Sequence, residues 1–204
     1  AGLFWALTAL LLAVAIRRAG ATLDERAVPF MGVMAAFIFA AQMFNFPVPG
    51  GTSGHLLGGV LAGILLGPWA ATVVMACVIS VQALVFQDGG LVALGANIFN
   101  MGLIGTLGGF AIYRALTVML GGEERARFPA AAVAAWVSVE AAAVLTAFEL
   151  SASDTTSLAV ALPAMAGWHA LIGIGEAVIT VATLAFIRTS RRDLLTLRTG
   201  QAAS

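Results

Sequence analysis

The chain has 204 residues, of which 61% are hydrophobic and 10% charged, and its formal net charge is zero. Soluble domains carry about 25% charged residues, so this composition, with a mean hydropathy of +1.01, excludes a surface that faces only water. The absence of a basic excess argues against a nucleic-acid partner. The apolar runs are continuous and lack the alternation of a membrane β-barrel, which predicts an all-α, polytopic membrane protein whose residues 1–204 form one transmembrane domain.

Apolar runs separated by polar or Gly/Pro-rich breaks predict the helices. The run from His55 to Phe86 would make one helix of about 48 Å, well beyond the ~30 Å hydrocarbon core of a bilayer. We therefore expect Gly67-Pro68 to divide it. In chain order the predicted helices are Leu3–Ile16, Val28–Phe44, a short helix of about residues 55–66, 68–86, Leu94–Leu120, Phe128–Leu150 and Leu158–Ile187, with a Gly/Pro-rich loop at Asn45–Gly54 and a polar tail at Arg188–Ser204.

The basic residues decide between a kink and a reversal at Gly67-Pro68. All ten are arginines, and they form three clusters. A reversal puts all three clusters on one side of the membrane, whereas a kink puts the middle cluster opposite the first, so the positive-inside rule favours the reversal. The prediction is seven transmembrane helices, one of them short, with the N-terminus outside and the C-terminus in the cytoplasm. The clusters are Arg17, Arg18 and Arg26, then Arg114, Arg125 and Arg127, then Arg188, Arg191, Arg192 and Arg198.

The loop before the short helix holds the first candidate site. Residues 45–54 contain two prolines and three glycines, and His55 follows them, which predicts His55 at the first turn of the short helix. Thr52 and Ser53 are suited to cap that helix. Imidazole is a common ligand of cobalt and nickel, so His55 is a candidate metal ligand. The alternative is a histidine that only hydrogen-bonds its neighbours.

Polar amides near the outer ends of two helices form a second group. Asn97 and Asn100 are three residues apart and are predicted to share a helix face. Because an unpaired amide in an apolar helix is costly, they either brace the binding loop behind the metal ligand or tie two helices together. Gln82 and Gln87-Asp88 are interpreted as a solvated rim.

Ionisable residues inside the predicted spans form a third group. His169 and Glu176 are seven residues apart, about two helical turns, and so face the same side. Charged residues within a membrane span are functional candidates, and His169 is a possible ligand. The alternative is a structural role in which His169 and Glu176 pair with each other or with Glu140. Cys77 lies in an apolar run and is predicted to be a small buried hydrophobe.

Four strings resemble one protein family. They are NFPVPGGTSGHLLGG (Asn45–Gly59), GPWA (Gly67–Ala70), DGGLVALGANIFNMG (Asp88–Gly102) and HALIGIGEA (His169–Ala177). Together they resemble the substrate-binding (S) component of the energy-coupling-factor (ECF) importers for cobalt and nickel, the CbiM/NikM family. The resemblance implies a seven-helix protein of the bacterial cytoplasmic membrane that captures Co²⁺ or Ni²⁺ at the outer face and serves cobalamin biosynthesis.

The same resemblance implies partners. In this family the S component works with a transmembrane coupling protein (T component), with ATP-binding subunits and in some members with a small accessory membrane protein, all in the lipid bilayer. The sequence contains no P-loop, whose glycine-rich backbone would hold the phosphates of ATP. We therefore expect no enzyme activity in this chain, no catalytic cofactor, and a metal ion that is substrate only.

The resemblance also implies the ligand set. In the family it consists of the N-terminal amine, the backbone nitrogen and imidazole of the histidine that follows the first residue, and the histidine of a GTSxH motif, which corresponds to His55. Four coplanar nitrogens suit nickel and also bind cobalt. This chain opens Ala1-Gly2-Leu3, whereas the family opens Met-His-Ile-Pro. We expect a native Met-His segment before Ala1, weak metal binding by the chain without it, and cobalt as the ion, with nickel as the alternative.

Three other functions remain as alternatives. A vitamin-binding S component needs an aromatic pocket, and Phe46 is the one aromatic residue of the predicted outer loops. An intramembrane enzyme would use Glu140, His169 and Glu176, but the HExxH motif of a metalloprotease is absent from the sequence. A proton-coupled metal carrier would use Glu140 and Glu176.

Overall fold

The structure is a computed structural model that describes residues 2–21, 27–50 and 52–196, and nearly all of this part is helical. Ala1, Arg26, Arg198 and the rest of the predicted tail after residue 196 lie outside the described residues. The elements in chain order are α1 Gly2–Gly20, α2 Ala27–Gln42, β1 Phe46–Pro47, β2 Ser53–Gly54, α3 Gly59–Leu66, α4 Pro68–Val85, α5 Gly90–Ile98, a π-helical segment Phe99–Gly108, α6 Gly109–Met119, α7 Glu123–Ala152, α8 Leu158–Ser190 and α9 Asp193–Thr196.

The helices confirm the prediction of a polytopic helical membrane protein. Within the described ranges, five helical stretches are long and apolar enough to cross a membrane, namely α1, α4, the continuous stretch from α5 to α6, α7 and α8. Helix α2, with 16 residues, is apolar but shorter. Seven crossings and an outer N-terminus stay predictions.

Helix α3 is the short helix that the sequence predicts, and it lies at the centre of the bundle. Seven of its eight residues are buried, against α4, α6, α7 and the π-helical segment. A helix of this length spans about 12 Å, which is tolerated at membrane depth only where protein surrounds it. The predicted start at residue 55 is wrong: the helix begins at Gly59, because the backbone of Leu57 and Gly58 is bonded to side chains of α2 and α8.

The chain reverses at Gly67-Pro68, as the arginine clusters predict. Pro68 occupies the first turn of α4, where its missing N–H costs nothing, and α4 packs back against α3. The Arg18 guanidinium lies over the Trp69 ring beside this turn, 5.6 Å from its centroid. We call this end of the bundle the arginine end, after the arginines that lie there. Helix α9 packs on both α3 and α8 at the same end.

The remaining arginines meet at the same end. Arg114 in the middle of α6 lies 3.7 Å from Glu123, and Arg188 in the last turn of α8 lies 3.6 Å from Glu124. Since Glu123 and Glu124 begin α7, these contacts join the middle and last clusters. The described arginines therefore have the one-sided distribution that the reversal requires.

The predicted helix 94–120 has a different internal geometry. It begins at Gly90 and widens into a π-helix over Phe99–Gly108 before it continues as α6. In this segment the Thr106 hydroxyl donates to the carbonyl of Met101, 2.8 Å away and five residues earlier. π-helical turns are rare and the apolar pattern does not reveal them, so the segment was not predicted.

The prediction that Cys77 is buried is wrong, because its side chain is exposed on α4. Surrounding residues of α4 are mostly buried against α1, α2 and α3. In a membrane protein the surface that faces lipid is as apolar as the interior. An apolar run therefore does not tell which of its residues point inward.

Candidate metal site

A short hairpin leads the chain into the site. Strands β1 and β2 pair antiparallel, with Phe46 opposite Gly54, and the Val48 amide donates to the Thr52 carbonyl at 3.0 Å. The Val48 side chain is buried against a cluster of small and apolar residues of α7 and α8. The predicted Gly/Pro loop is thus a hairpin fastened to the bundle. We call this end of the bundle the hairpin end.

Thr52 and Ser53 belong to this hairpin and do not cap α3. The N-cap residue of α3 is Gly58, and no described side chain caps this helix. Thr52 is exposed and Ser53 half-buried, and both line the cavity described below. The prediction of a capping role is wrong because four non-helical residues, 55–58, separate β2 from the helix.

His55 lies in the extended segment between the hairpin and α3, and it is half-buried. Its Nδ1 atom lies 2.8 Å from the Leu56 carbonyl oxygen. A carbonyl oxygen only accepts hydrogen bonds, so Nδ1 carries the proton and Nε2 keeps a lone pair. That tautomer leaves one ring nitrogen available to a metal ion.

Glu176 of α8 holds the two residues that precede α3. Its Oε2 accepts a hydrogen bond from the Leu57 amide at 2.9 Å, and its Oε1 accepts one from the Gly58 amide at 2.7 Å. The side chain is buried, with 3% of its surface exposed. Hydrogen bonds to a carboxylate are the stronger kind, so this pair fixes the backbone directly after His55.

Two amides complete the arrangement from the opposite side. The Gln42 Nε2 donates to the Leu57 carbonyl at 2.7 Å, and the Gln82 Nε2 donates to the Gln42 Oε1 at 2.9 Å. Both side chains are buried, so the interpretation of Gln82 as a solvated rim residue is wrong. We refer to Gln42, Gln82 and Glu176 as the polar clamp.

Gly58 is required by the same geometry. Its φ of 76° is left-handed, and a Cβ added there would lie 2.8 Å from Cγ1 of Ile38. Residues with a side chain rarely adopt this conformation. The glycine therefore lets the backbone turn into α3 while its amide still reaches Glu176.

His169 of α8 lies beside the hairpin and is buried, with 7% of its surface exposed. Its Nδ1 lies 2.7 Å from the Met165 carbonyl oxygen, so Nδ1 carries the proton and Nε2 is again the free nitrogen. A Cβ on Gly54 would lie 3.0 Å from that Nε2. The suggested pair of His169 with Glu176 is not formed, because both carboxylate oxygens of Glu176 accept hydrogen bonds from the amides of Leu57 and Gly58.

Asn100 ties the π-helical segment to α7, one of the two roles that the sequence left open. Its Nδ2 donates to Thr146 Oγ1 at 3.2 Å and to Glu149 Oε2 at 2.9 Å. Asn100 is buried, whereas Asn97 is half-buried. Both asparagines line the same cavity as His55.

These residues surround a cavity of about 810 Å³ at the hairpin end. It is open to the outside of the protein and is lined by apolar residues of α4, α5, α7 and α8 together with polar groups. A naked metal ion would occupy a small part of this volume. The polar side chains that line the cavity are Thr52, Ser53, His55, Gln82, Asp88, Asn97, Asn100, Thr146, Glu149, Ser153, Thr155 and His169.

The described residues supply an incomplete donor set. Within them, no group of three or more His, Cys, Asp and Glu side chains is placed to hold a metal ion. The cavity presents two imidazoles, His55 and His169, each with a free Nε2. Two imidazoles are fewer than the roughly four ligands of a tight transition-metal site.

Of the polar clamp, the sequence analysis named Glu176 as a structural candidate, assigned Gln82 to the rim and missed Gln42. Gln42 is the last residue of an apolar helix, and no role was predicted for it. Thr146 and Glu149, which line the cavity, were not assigned to the site either. A usable signal was present: an amide at the end of an apolar run is expensive to bury without a partner. Its partner, however, can lie tens of residues away, as with the 40 residues between Gln42 and Gln82.

Comparison with known proteins shows the family of this chain. Residues 1–194 match the family described as CbiM, cobalt uptake substrate-specific transmembrane region. A protein of Archaeoglobus fulgidus, provisionally named fused nickel transport protein NikMN, is 42% identical over 96% of this chain, and the chain spans 64% of that relative's own length. The cobalt transport protein CbiM of Sorangium cellulosum is 34% identical over 82% of this chain and 76% of its own.

A solved structure has the same fold. A crystal structure described as that of a transition metal transporter superposes with a TM-score of 0.89 at 33% identity, and the match covers 98% of this chain and 92% of the other. The chain is a multi-pass membrane protein and belongs to the CbiM family of cobalt uptake substrate-specific transmembrane regions.

Proposed function

We propose that this chain captures Co²⁺, or alternatively Ni²⁺, with high affinity at the outer face of the bacterial cytoplasmic membrane. In this proposal it is the S component of an ATP-driven ECF importer and serves cobalamin biosynthesis. The observation that carries the proposal is the position of His55. Among the described residues its free Nε2 faces no hydrogen-bond partner that competes with a metal ion, and the backbone of Leu57, two residues later, is held by Glu176 and Gln42.

The chemistry of the cavity supports a transition metal as the substrate. Imidazole nitrogen suits cobalt and nickel, whereas Mg²⁺ and Ca²⁺ prefer sites made only of oxygen. His55 supplies one nitrogen. The remaining ligands in this proposal are the amine, backbone nitrogen and imidazole of a native Met-His segment before Ala1. His169, Thr52, Ser53 and Asn97 then orient the loaded site and do not bind the ion directly.

Rigidity is the contribution of the polar clamp. A ligand on a mobile loop loses conformational entropy when the ion binds, whereas a pre-positioned imidazole has already lost it. Three hydrogen bonds of 2.7–2.9 Å hold Leu57 and Gly58, and a fourth, from Gln82, holds Gln42. The proposed affinity therefore depends on residues of α2, α4 and α8 that never touch the ion.

Energy for transport comes from partners in this proposal. The T component transmits the conformational change, ATP-binding subunits hydrolyse ATP, and a small accessory membrane protein assists. Nickel remains the second candidate substrate, since the Archaeoglobus relative carries the name of a nickel transport protein. Selectivity between the two ions rests on geometry and availability, because both accept the same nitrogen ligands.

The deciding experiment is the metal content of purified protein, prepared with its native N-terminal segment and again from Ala1. We expect about one Co²⁺ or Ni²⁺ per chain in the first form, since four nitrogens satisfy the ion, and almost none in the second. If neither form binds either ion in excess, the proposed function is wrong. The proton-coupled carrier and the intramembrane enzyme would then become the candidate functions.

His55→Ala, made in the form with the native N-terminus, tests the ligand assignment. We expect metal capture to be abolished, because loss of one of four ligands leaves an incomplete site. His169→Ala is the matched control, since it removes the second cavity imidazole, and we expect it to retain metal. A His55→Ala protein with normal metal content would refute the assignment, and loss only in His169→Ala would reverse it.

A further inference from the structure

A second polar group in the cavity has unused hydrogen-bonding capacity. Asn100 donates through Nδ2 to Thr146 and Glu149. Within the described part of the chain, Asn100 Oδ1 and Glu149 Oε1 are buried atoms with no hydrogen-bond partner. The Asn100 side chain is 3% exposed, and both residues line the cavity that His55 lines. Two acceptor oxygens on one hydrogen-bonded pair are thus left without donors.

Such oxygens are costly unless something satisfies them. An unpaired buried acceptor costs on the order of 1–3 kcal/mol, and more when the group is charged. Nearly all buried polar atoms in native proteins find a partner. A carboxylate oxygen next to an amide oxygen suits the water shell of a hydrated divalent cation, because the bound waters donate hydrogen bonds and the ion supplies opposite charge.

The charged side chains that line the cavity also favour a cation. Among the described residues that line it, the charged side chains are Asp88 and Glu149, and both are acidic. A cleft lined by one sign of charge with apolar walls raises the local concentration of counter-ions and their association rate. These two acidic side chains therefore favour the entry of cations into the cavity that His55 also lines.

We propose that Glu149 and Asn100 form an approach site, where a hydrated divalent cation is held through its water shell before it loses water and binds the nitrogen ligands at His55. Oxygen ligands bind cobalt and nickel less tightly than nitrogen ligands do, so an ion held here can move on. The inference rests on the proposed function, because it concerns the path to that site. The approach site acts on the rate of capture and not on the ligand set.

The test is rapid mixing of the full chain, with its native N-terminus and in lipid nanodiscs, with CoCl₂ or NiCl₂ while tryptophan fluorescence is followed. Release is measured by challenge of the loaded protein with EDTA. For Glu149→Gln we expect an association rate about threefold to tenfold lower at low ionic strength, from loss of the attracting charge. We expect the rate of release not to rise. An unchanged association rate, or a faster release, would overturn the approach site.

Matched variants separate charge from structure. Glu149→Asp keeps the charge and should recover most of the association rate; equal slowing in both variants would contradict the proposal. Glu140→Gln neutralises another glutamate of α7 that has a buried, unpartnered Oε1 but does not line the cavity. Its association rate should equal that of the wild type, and equal slowing would also overturn the proposal.

Two further outcomes are defined in advance. If Glu149→Gln does not fold, Asp88→Asn tests the same field from the loop before α5, and an unchanged association rate in that variant overturns the proposal. If the wild type binds neither ion, the proposed function and the approach site fail together. A wild type that binds normally while Glu149→Gln associates at the same rate removes the approach site alone.

Discussion

Replacement of Glu176 by glutamine is the sharpest test of how His55 is held. The carboxylate accepts two backbone hydrogen bonds, from Leu57 at 2.9 Å and from Gly58 at 2.7 Å. A glutamine has one acceptor oxygen and one NH₂ group, so one of the two amides would face a donor. The Leu57 amide is buried and the Gly58 amide is part-buried, so the amide that faces the donor loses its partner at a cost.

The magnitude follows from the lost bond. A hydrogen bond to a charged group contributes about 1.5–3 kcal/mol, and a buried donor without a partner costs about 1–3 kcal/mol. These contributions overlap, so we expect Glu176→Gln to lower the free energy of unfolding by about 2–4 kcal/mol. For a chain of this size that corresponds to a fall in melting temperature on the order of 5–15 °C.

The assay compares thermal unfolding and metal affinity in detergent, for protein with its native N-terminus. We expect a clear loss of stability and a smaller loss of affinity, since Glu176 touches the backbone and not the ion. Glu140→Gln is the control, because Glu140 Oε1 has no described partner to lose. A Glu176→Gln protein with normal melting and selectively weakened metal binding would refute the reasoning.

Two further substitutions probe the same segment. Gly58→Ala should lower the melting temperature by several degrees, through a strained φ of 76° and a contact of 2.8 Å with Ile38, at a cost of about 1–3 kcal/mol; normal melting would show that the turn can relax. Gln42→Met keeps the side-chain volume but leaves the Leu57 carbonyl without its donor, so we expect a loss of about 1–3 kcal/mol in thermal unfolding and a lower yield of folded protein. An unaffected Gln42→Met protein would show that the amide contributes nothing to the clamp.

The helices were largely predictable because the bilayer imposes long apolar runs. Their predicted ends lie within a few residues of the observed ones for most helices, and the reversal at Gly67-Pro68 followed from the arginines alone. The exception is the start of α3. An apolar and glycine-rich pattern does not distinguish the extended residues 55–58 from a first helical turn, since the hydrogen bonds that hold them come from distant residues.

The candidate site was predictable only in part. His55 stood out because histidine is rare in this chain and follows an unusual loop. Glu176 was also named from the sequence, but its contact with Leu57 was not, because the two residues are 119 positions apart and spacing along a helix says nothing about such contacts. Gln82 was assigned to the rim for the same reason: its burial depends on Gln42, which no local pattern connects to it.

The unequal lengths of the helices have a consequence for the membrane itself. Helix α2 has 16 residues, about 24 Å, whereas α7 and α8 have 30 and 33 residues, about 45 and 50 Å. A bilayer core of ~30 Å is thicker than α2 is long and thinner than α7 and α8 are long. The lipid must therefore thin beside α2, or the long helices must tilt. Bilayer thickness would then change the tilt of the protein. With the tilt, the angle between the open end of the cavity and the membrane surface would change, and so would the access of ions to the cavity.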